Sequence, residues 1–77
     1  FMKDNMHTVL VFKTSVSRND EVKKLQPLLN KLIRQNGTWN FDLEDCDNIL
    51  RVETQLLKPE NISSTLMSHG FYCEELL

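Results

Sequence analysis

Residues 38–54, TWNFDLEDCDNILRVET, decide the fold, because two alternating apolar patterns meet there across a polar turn. Alternation with a period of two residues is typical of strands that bury one face and leave the other in water. The residues expected on the buried face are Trp39, Phe41, Leu43, Leu50 and Val52. The polar stretch 45–48 separates the two patterns, so the segment predicts a β-hairpin with strands at 38–45 and 49–54.

The segment before the hairpin predicts a strand followed by a helix. TVLVFKT, residues 8–14, is β-branched and aromatic on both faces, which is typical of a central strand. From Asp20 to Arg34 apolar residues recur every three or four positions, which predicts an amphipathic helix. Ser17 or Asn19 can cap its start. Pro27 lies inside the pattern and favours one continuous helix with a kink; the alternative is a helix that begins near Leu25 with Pro27 in its first turn.

The segment after the hairpin predicts a second helix and a last strand. Pro59 suits the first turn of this helix, and His69 lies at its end, where it can cap free carbonyl groups. The expected apolar stripe consists of Ile62, Leu66 and Met67. FYCEEL, residues 71–76, then predicts a short strand.

The order strand, helix, strand, strand, helix, strand predicts an α+β fold. In a chain of 77 residues it gives a ferredoxin-like βαββαβ sandwich, with a four-stranded antiparallel sheet and both helices on one face. Right-handed crossovers place the first and third strands in the middle. We expect a single domain over residues 1–77 with its core within 8–76.

Composition excludes some partners and favours one compartment. The net charge of −2 gives no basic field for nucleic acid or an anionic membrane, and no apolar run reaches the roughly 18 residues of a membrane span. The opening FMKDNM has no signal-peptide pattern, and Phe1 precedes Met2, the expected start of translation. We therefore expect a cytoplasmic protein with free thiols.

The loop between the first strand and the first helix, together with two glycines, follows the pattern of a known family. The loop residues are Ser15, Val16, Ser17, Arg18 and, three positions later, Glu21. Gly37 lies at the turn before the second strand, and Gly70 with Phe71 precedes the last strand. On these residues and the order of elements, the chain resembles the heavy-metal-associated domains, which include small copper chaperones and modules of metal ATPases.

The resemblance implies a metal-binding loop whose donors have been replaced. That family has Gly-Met-Thr-Cys-x-x-Cys in this place, where this chain has Arg18 and Glu21 at the two cysteine positions. Cu(I) needs soft thiolate ligands, and an arginine repels a cation. We therefore expect a degenerate metal site at Ser15, Val16, Ser17, Arg18 and Glu21, with no metal and no cofactor.

The leading functional hypothesis is a non-catalytic module that binds a protein partner or a second copy of itself. The expected interaction surface is the open face of the sheet, represented by Ile49, Arg51 and Tyr72. RNA binding is not expected, because the outward residues of the central strands include no aromatic pair. An enzyme is not expected, because the sequence contains no readable Ser-His-Asp or Cys-His arrangement.

The alternative is a copper or zinc ion bound by His69 and Cys73 with help from Glu21. Cys46, in the hairpin turn, is expected about 15 Å from Cys73, at the opposite end of the sheet, too far for a disulfide. The acidic residues around Cys46 are Asp42, Glu44, Asp45 and Asp47. We expect them to form a solvated turn, and weak binding of a hard cation or of a basic partner remains open.

Overall fold

The computed structural model describes residues 8–33, 37–55 and 57–76. In chain order its elements are β1 (Thr8–Thr14), α1 (Asn19–Ile33), β2 (Gly37–Asp42), β3 (Ile49–Thr54), α2 (Pro59–Ser68) and β4 (Cys73–Glu75). The predicted order of elements is therefore confirmed. The expectations for Phe1, Met2 and the Arg34 end of the first helix lie outside the described residues.

The four strands form one antiparallel sheet in the order β2-β3-β1-β4. β1 and β3 lie in the middle, as predicted, and β2 and β4 form the two edges. Phe12 of β1 and Phe41 of β2 both stand opposite Leu50 of β3. This register places the large apolar residues of three strands on one face, which defines a ferredoxin-like α+β arrangement.

Both helices cover that same face, because their buried residues belong to one cluster with the strands. Helix α1 contributes Leu25, Leu29 and Ile33, and α2 contributes Ile62 and Leu66. All five are at most 1% exposed. Burying a side chain of this size stabilises the fold by roughly 1.5–3 kcal/mol. In a chain this short the fold depends on such few contacts.

Helix α1 continues through Pro27 instead of ending there. The proline lacks the N–H that would bond the carbonyl of Lys23 four residues earlier. Both residues are exposed, so water can satisfy that carbonyl. The predicted single helix is confirmed, and its proline is tolerated because it lies on the solvent side.

Two residues expected in the core are placed differently. Strand β2 ends at Asp42, so Leu43 belongs to the turn, where it is half-buried against the core. Met67 is 58% exposed. It directly follows Leu66, and a step of about 100° around the helix turns it away from the apolar stripe.

The hairpin turn lies at the same end of the sheet as the β1–α1 loop, so the prediction that Cys46 and Cys73 lie at opposite ends of the sheet is wrong. Lys13, near the end of β1, stands opposite Ile49 at the start of β3, and Thr14 stands opposite Cys73. Strand β2 runs parallel to β1 with β3 between them, so both end on the same side. Both thiols are nevertheless free. Cys46 is exposed and Cys73 is buried.

Within the described residues, neither helix has the length and the apolar composition needed to cross a bilayer.

Candidate functional site

The loop after β1 is fixed to the connection between α2 and β4. Val16 is fully buried and anchors the middle of the loop in the core. The N–H of Ser15 donates to the carbonyl oxygen of Tyr72 at 3.1 Å, and the N–H of Tyr72 donates to Ser15 Oγ at 2.8 Å. Val16 stands in a polar segment, so no sequence pattern indicated that it belongs to the core.

The same loop is also fixed to the hairpin turn, through Thr14. Its Oγ1 donates to the carbonyl oxygen of Asn48 at 2.7 Å and accepts from the N–H of Val16 at 3.1 Å. Thr14 is only 4% exposed, so both bonds are shielded from water. The three connections at this end of the sheet are therefore held together by hydrogen bonds.

The side chain of Glu21 accepts hydrogen bonds from backbone N–H groups at the start of α1. Its Oε1 accepts from the N–H groups of Ser17 at 2.9 Å and Arg18 at 3.3 Å. A helix start has free N–H groups and a positive pole, and a carboxylate reaching back satisfies both. Ser17 and Asn19 were predicted to cap the helix with their side chains. The cap is instead the side chain of Glu21, a residue inside the helix that accepts from N–H groups before it in the chain.

The charges of this loop are also paired within it. Arg18 Nη2 lies 3.7 Å from Glu21 Oε2, and Arg18 Nε lies 3.2 Å from Asp20 Oδ1. These pairs are exposed and weak individually. Together they engage both Arg18 and Glu21 in contacts within the loop and the first turn of α1.

The three residues considered as alternative metal ligands are not brought together. His69 Nδ1 lies 2.9 Å from the carbonyl oxygen of Thr65, so the ring caps the end of α2 as predicted. Cys73 is 5% exposed, and burial raises the pKa of its thiol to about 11. Glu21 is held at the start of α1. A thiol that stays protonated at neutral pH is a poor metal ligand and a poor nucleophile.

Among the described residues, the one group of three possible metal ligands that lie close together is Asp45, Cys46 and Asp47. Their ligand atoms lie within 4.8 Å of one another. Asp45 Oδ1, however, accepts from the N–H of Asp47 at 2.8 Å, and Asn48 has a φ of 51°. These features form a tight polar turn, which agrees with the expected solvated turn.

The open face of the sheet differs from the expectation at one of its three residues. Ile49 is 6% exposed; it is the first residue of the central strand β3 and lies between Lys13 of β1 and Asp42 of β2. It therefore offers almost no contact surface. Arg51 is exposed, and Tyr72 is 52% exposed.

The apolar part of the open face lies on β1 and beside β4. Val9 is 54% exposed and Leu76 is 39% exposed. Val11, half-buried, lies on the same face and receives a hydrogen bond on its carbonyl from the N–H of Leu76. The sequence contained this signal, because β1 is apolar on both faces and only one face enters the core.

The direction of the backbone groups identifies the free edge of β2. The N–H of Leu76 donates to the carbonyl of Val11 at 2.8 Å, so alternate residues of β1 starting from Val9 bond towards β4. Because the direction alternates along a strand, the backbone N–H and C=O groups of Leu10 and Phe12 point towards β3. Carried across β3, the same rule leaves the N–H and C=O groups of Trp39 and Phe41 pointing away from the sheet.

These outward backbone groups make no hydrogen bond with any residue that the structure describes. Their side chains, in contrast, are fixed on the inner face. Trp39 Nε1 donates to Asn30 Oδ1 of α1 at 2.9 Å, and the rings of Trp39 and Phe41 pack edge to face with centroids 5.9 Å apart. The strand is thus held rigidly while its edge stays open.

A cleft of about 730 Å³ lies between the start of α1 and the end of β2. Its lining residues are Ser17, Arg18, Asn19, Asn40, Phe41, Asp42, Leu43, Glu44 and Arg51. Both signs of charge occur in it, and Arg18 is paired with its own helix. The cleft adjoins the edge of β2, because Asn40, Phe41 and Asp42 of that strand line it.

Comparison of the chain with protein-family models, with curated proteins and with solved structures finds no match.

Proposed function

We propose that this chain is a non-catalytic protein-interaction module on a ferredoxin-like scaffold. Its first loop has the position of the metal-binding loop of heavy-metal-associated domains and serves as a structural cap. The observation that carries the proposal is the edge of β2, a six-residue strand whose outward N–H and C=O groups meet no described residue. An edge of this kind is a template for strand addition by another chain.

The first loop supports this proposal because its polar groups are already used. Glu21 accepts from two backbone N–H groups, and Arg18 pairs with Asp20 and Glu21. A metal ion at this place would have to displace these contacts and approach a guanidinium group. The free thiols of Cys46 and Cys73 suit a reducing compartment, the cytoplasm.

Restoring the missing donors tests the resemblance. The double substitution Arg18→Cys, Glu21→Cys places two thiols three residues apart at the start of α1. If the loop has the architecture of a metal site, this variant gains stoichiometric Cu(I) binding, while the reduced wild-type protein shows none. A double variant with no more affinity than wild type contradicts the inferred kinship of the loop.

The alternative metal site at His69 and Cys73 is tested by titrating the reduced protein with Cu(I) and Zn(II). The proposal expects equal, weak binding by wild type and by Cys73→Ala. Tight binding that disappears with Cys73→Ala replaces the interaction proposal with a metal-binding one.

The interaction itself is tested by affinity capture with three baits: wild type, Asn40→Lys and Ser64→Lys. Asn40 lies on the exposed face of β2, and Ser64 is an exposed residue of α2 that controls for the added charge. A partner that uses the edge of β2 is retained by wild type and by Ser64→Lys and is lost with Asn40→Lys. Equal capture by all three baits shows that the binding surface lies elsewhere.

A further inference from the structure

As far as residues 8–33, 37–55 and 57–76 show, the edge of β2 lacks the devices by which sheets usually prevent pairing with other chains. Such devices are short strands, lysine, proline, bulges and covering segments. β2, with the sequence GTWNFD, is six residues long, contains neither lysine nor proline, and pairs with β3 without a bulge. Its one charged residue, Asp42, stands at its end. The strand is therefore suited to accept another strand.

The sequence of β2 is complementary to itself in an antiparallel arrangement centred on Asn40. In that register Trp39 stands opposite Phe41 of the second copy, and Thr38 stands opposite Asp42. The outward N–H and C=O groups of Trp39 and Phe41 then form about four hydrogen bonds between the copies. No charge faces a like charge, and two aromatic pairs form on the inner face.

Helix α1 lies beside this edge and presents the neutral residues Asn30 and Gln26 there, together with Lys23, which lies seven residues before Asn30 on the same side of the helix. Asn30 is placed on the β2 side by its bond to Trp39. Gln26, one helical turn earlier, shares that side. Both residues are exposed. A second copy approaching β2 therefore meets amide groups that can donate and accept hydrogen bonds, and no apolar or charged barrier from these two residues.

We propose that β2 pairs antiparallel with β2 of a second copy of this chain, around a two-fold axis at Asn40, to form a continuous eight-stranded sheet. The inference rests on the proposed function and names its partner. A closed two-fold pairing uses each copy's free edge once, so it stops at the dimer.

The register makes a charge-swap experiment decisive, because residue 40 of one copy faces residue 40 of the other. Sedimentation equilibrium over a concentration series measures the dissociation constant of wild type, Asn40→Lys and Asn40→Glu. Each variant places like charges in contact across the axis, which raises the dissociation constant at least about fivefold. An equimolar mixture of the two variants places opposite charges there and restores the dimer as a heterodimer.

Val9→Lys is the matched control, because it adds the same charge to the open face, where Val9 is 54% exposed, instead of to the edge. The proposal expects an unchanged dissociation constant. If Val9→Lys separates the copies while Asn40→Lys does not, the dimer forms through the open face and the proposed pairing is wrong. A mixture of the two Asn40 variants that stays monomeric contradicts the register.

A covalent test does not depend on the strength of the dimer. In a Cys46→Ser background, which removes the exposed thiol, Asn40→Cys brings two thiols to directly opposite positions with Cα atoms about 4.5 Å apart, within the range of a disulfide. Oxidised glutathione then produces a covalent dimer. Glu74→Cys in the same background is the control on β4 and stays monomeric. Equal cross-linking of both variants indicates random collision and overturns the pairing.

The outcomes separate this inference from the proposed function. A chain that is monomeric at all concentrations and gives no Asn40→Cys cross-link, but retains another protein in a manner that depends on Asn40, disproves the self-pairing and leaves the module proposal standing. A chain that is monomeric and retains no edge-dependent partner disproves both.

Discussion

The two edge strands of the sheet are built in opposite ways. β2 has six residues, starts at a glycine and carries two aromatic side chains on the core side. β4 has three residues, CEE. Its neighbour Tyr72 makes two hydrogen bonds to Ser15, one through its N–H and one through its carbonyl oxygen. Short length and negative charge are protections against strand pairing, and β4 has both. Among the described residues, β4 therefore carries features that protect a sheet edge, and β2 does not.

The largest expected difference between the two edges comes from the glycine that precedes or starts each strand. A Cβ at Gly37 would overlap the carbonyl oxygen of Glu53, which is backbone and belongs to the ladder between β2 and β3. Gly37→Ala therefore has to move β2 away from β3. We expect it to lower the free energy of unfolding by about 3 kcal/mol or more, measured by urea denaturation.

Gly70→Ala is the control at the other edge. A Cβ there meets no atom within 4 Å, but the φ of 89° is unfavourable for a residue with a side chain. The cost is then conformational only, about 1–2 kcal/mol. If Gly70→Ala destabilises the protein more than Gly37→Ala, the close contact between β2 and β3 is not what fixes the open edge.

The second prediction concerns the closed edge, whose inward residue Cys73 lies in the core. Burial raises the pKa of this thiol from 9.0 to about 11. The folded state thus holds the proton more tightly than the unfolded state, so this contribution is complete below pH 9 and is lost as the pH rises to about 11. We expect a loss on the order of 2 kcal/mol across that window.

Cys73→Ala removes this dependence, so the difference between the two plots of unfolding free energy against pH isolates the contribution of the thiol. The same burial predicts that only Cys46 reacts with a disulfide reagent in the native protein at neutral pH. Rapid modification of both thiols without denaturant would mean that β4 opens easily and that the closed edge is not closed.

Much of the fold followed from the sequence because the periodic patterns were strong. The segments TVLVFKT and ILRVET were predicted as strands with the bounds that the structure has, and Pro59 begins the second helix. The alternation that continued to Leu43 misplaced the end of β2, because periodicity alone does not show where a turn begins. An alternating pattern shows which side chains are buried, but it does not show in which direction the backbone N–H and C=O groups point.

The functional surface could be predicted only in part. Arg18 and Glu21 were singled out by the resemblance to a family, and their mutual pairing depends on rotamers that no sequence pattern fixes. Ile49 was expected on an open face and is buried, because neighbouring strands cover it. The open edge of β2 was missed, since which residues turn their N–H groups outward follows from the register of all four strands.

The third prediction tests how firmly the open edge is held against α1. Asn30→Ala removes the acceptor of the indole N–H of Trp39, a bond of 2.9 Å on the exposed side of the molecule. We expect a loss of about 1 kcal/mol in the free energy of unfolding, the usual worth of one such bond. Amide hydrogen exchange at Asn40, whose N–H points towards β3, should rise by more than at Phe12 in the central strand. Equal changes at both residues would indicate a global effect and no special tether.

The smallest effect is expected at the outer side of the closed edge. Tyr72 donates a hydrogen bond to a carboxylate oxygen of Glu74, and this bond, more than the nearby charge, raises the pKa of the phenol above 10.0. Glu74→Ala should therefore lower the pKa of Tyr72, which is the one tyrosine of the chain, so its ultraviolet titration is unambiguous. Both residues are exposed, so we expect the substitution to leave the free energy of unfolding almost unchanged. A loss comparable with that of Asn30→Ala would show that the two edges are secured alike, and that the openness of β2 comes from its length and composition alone.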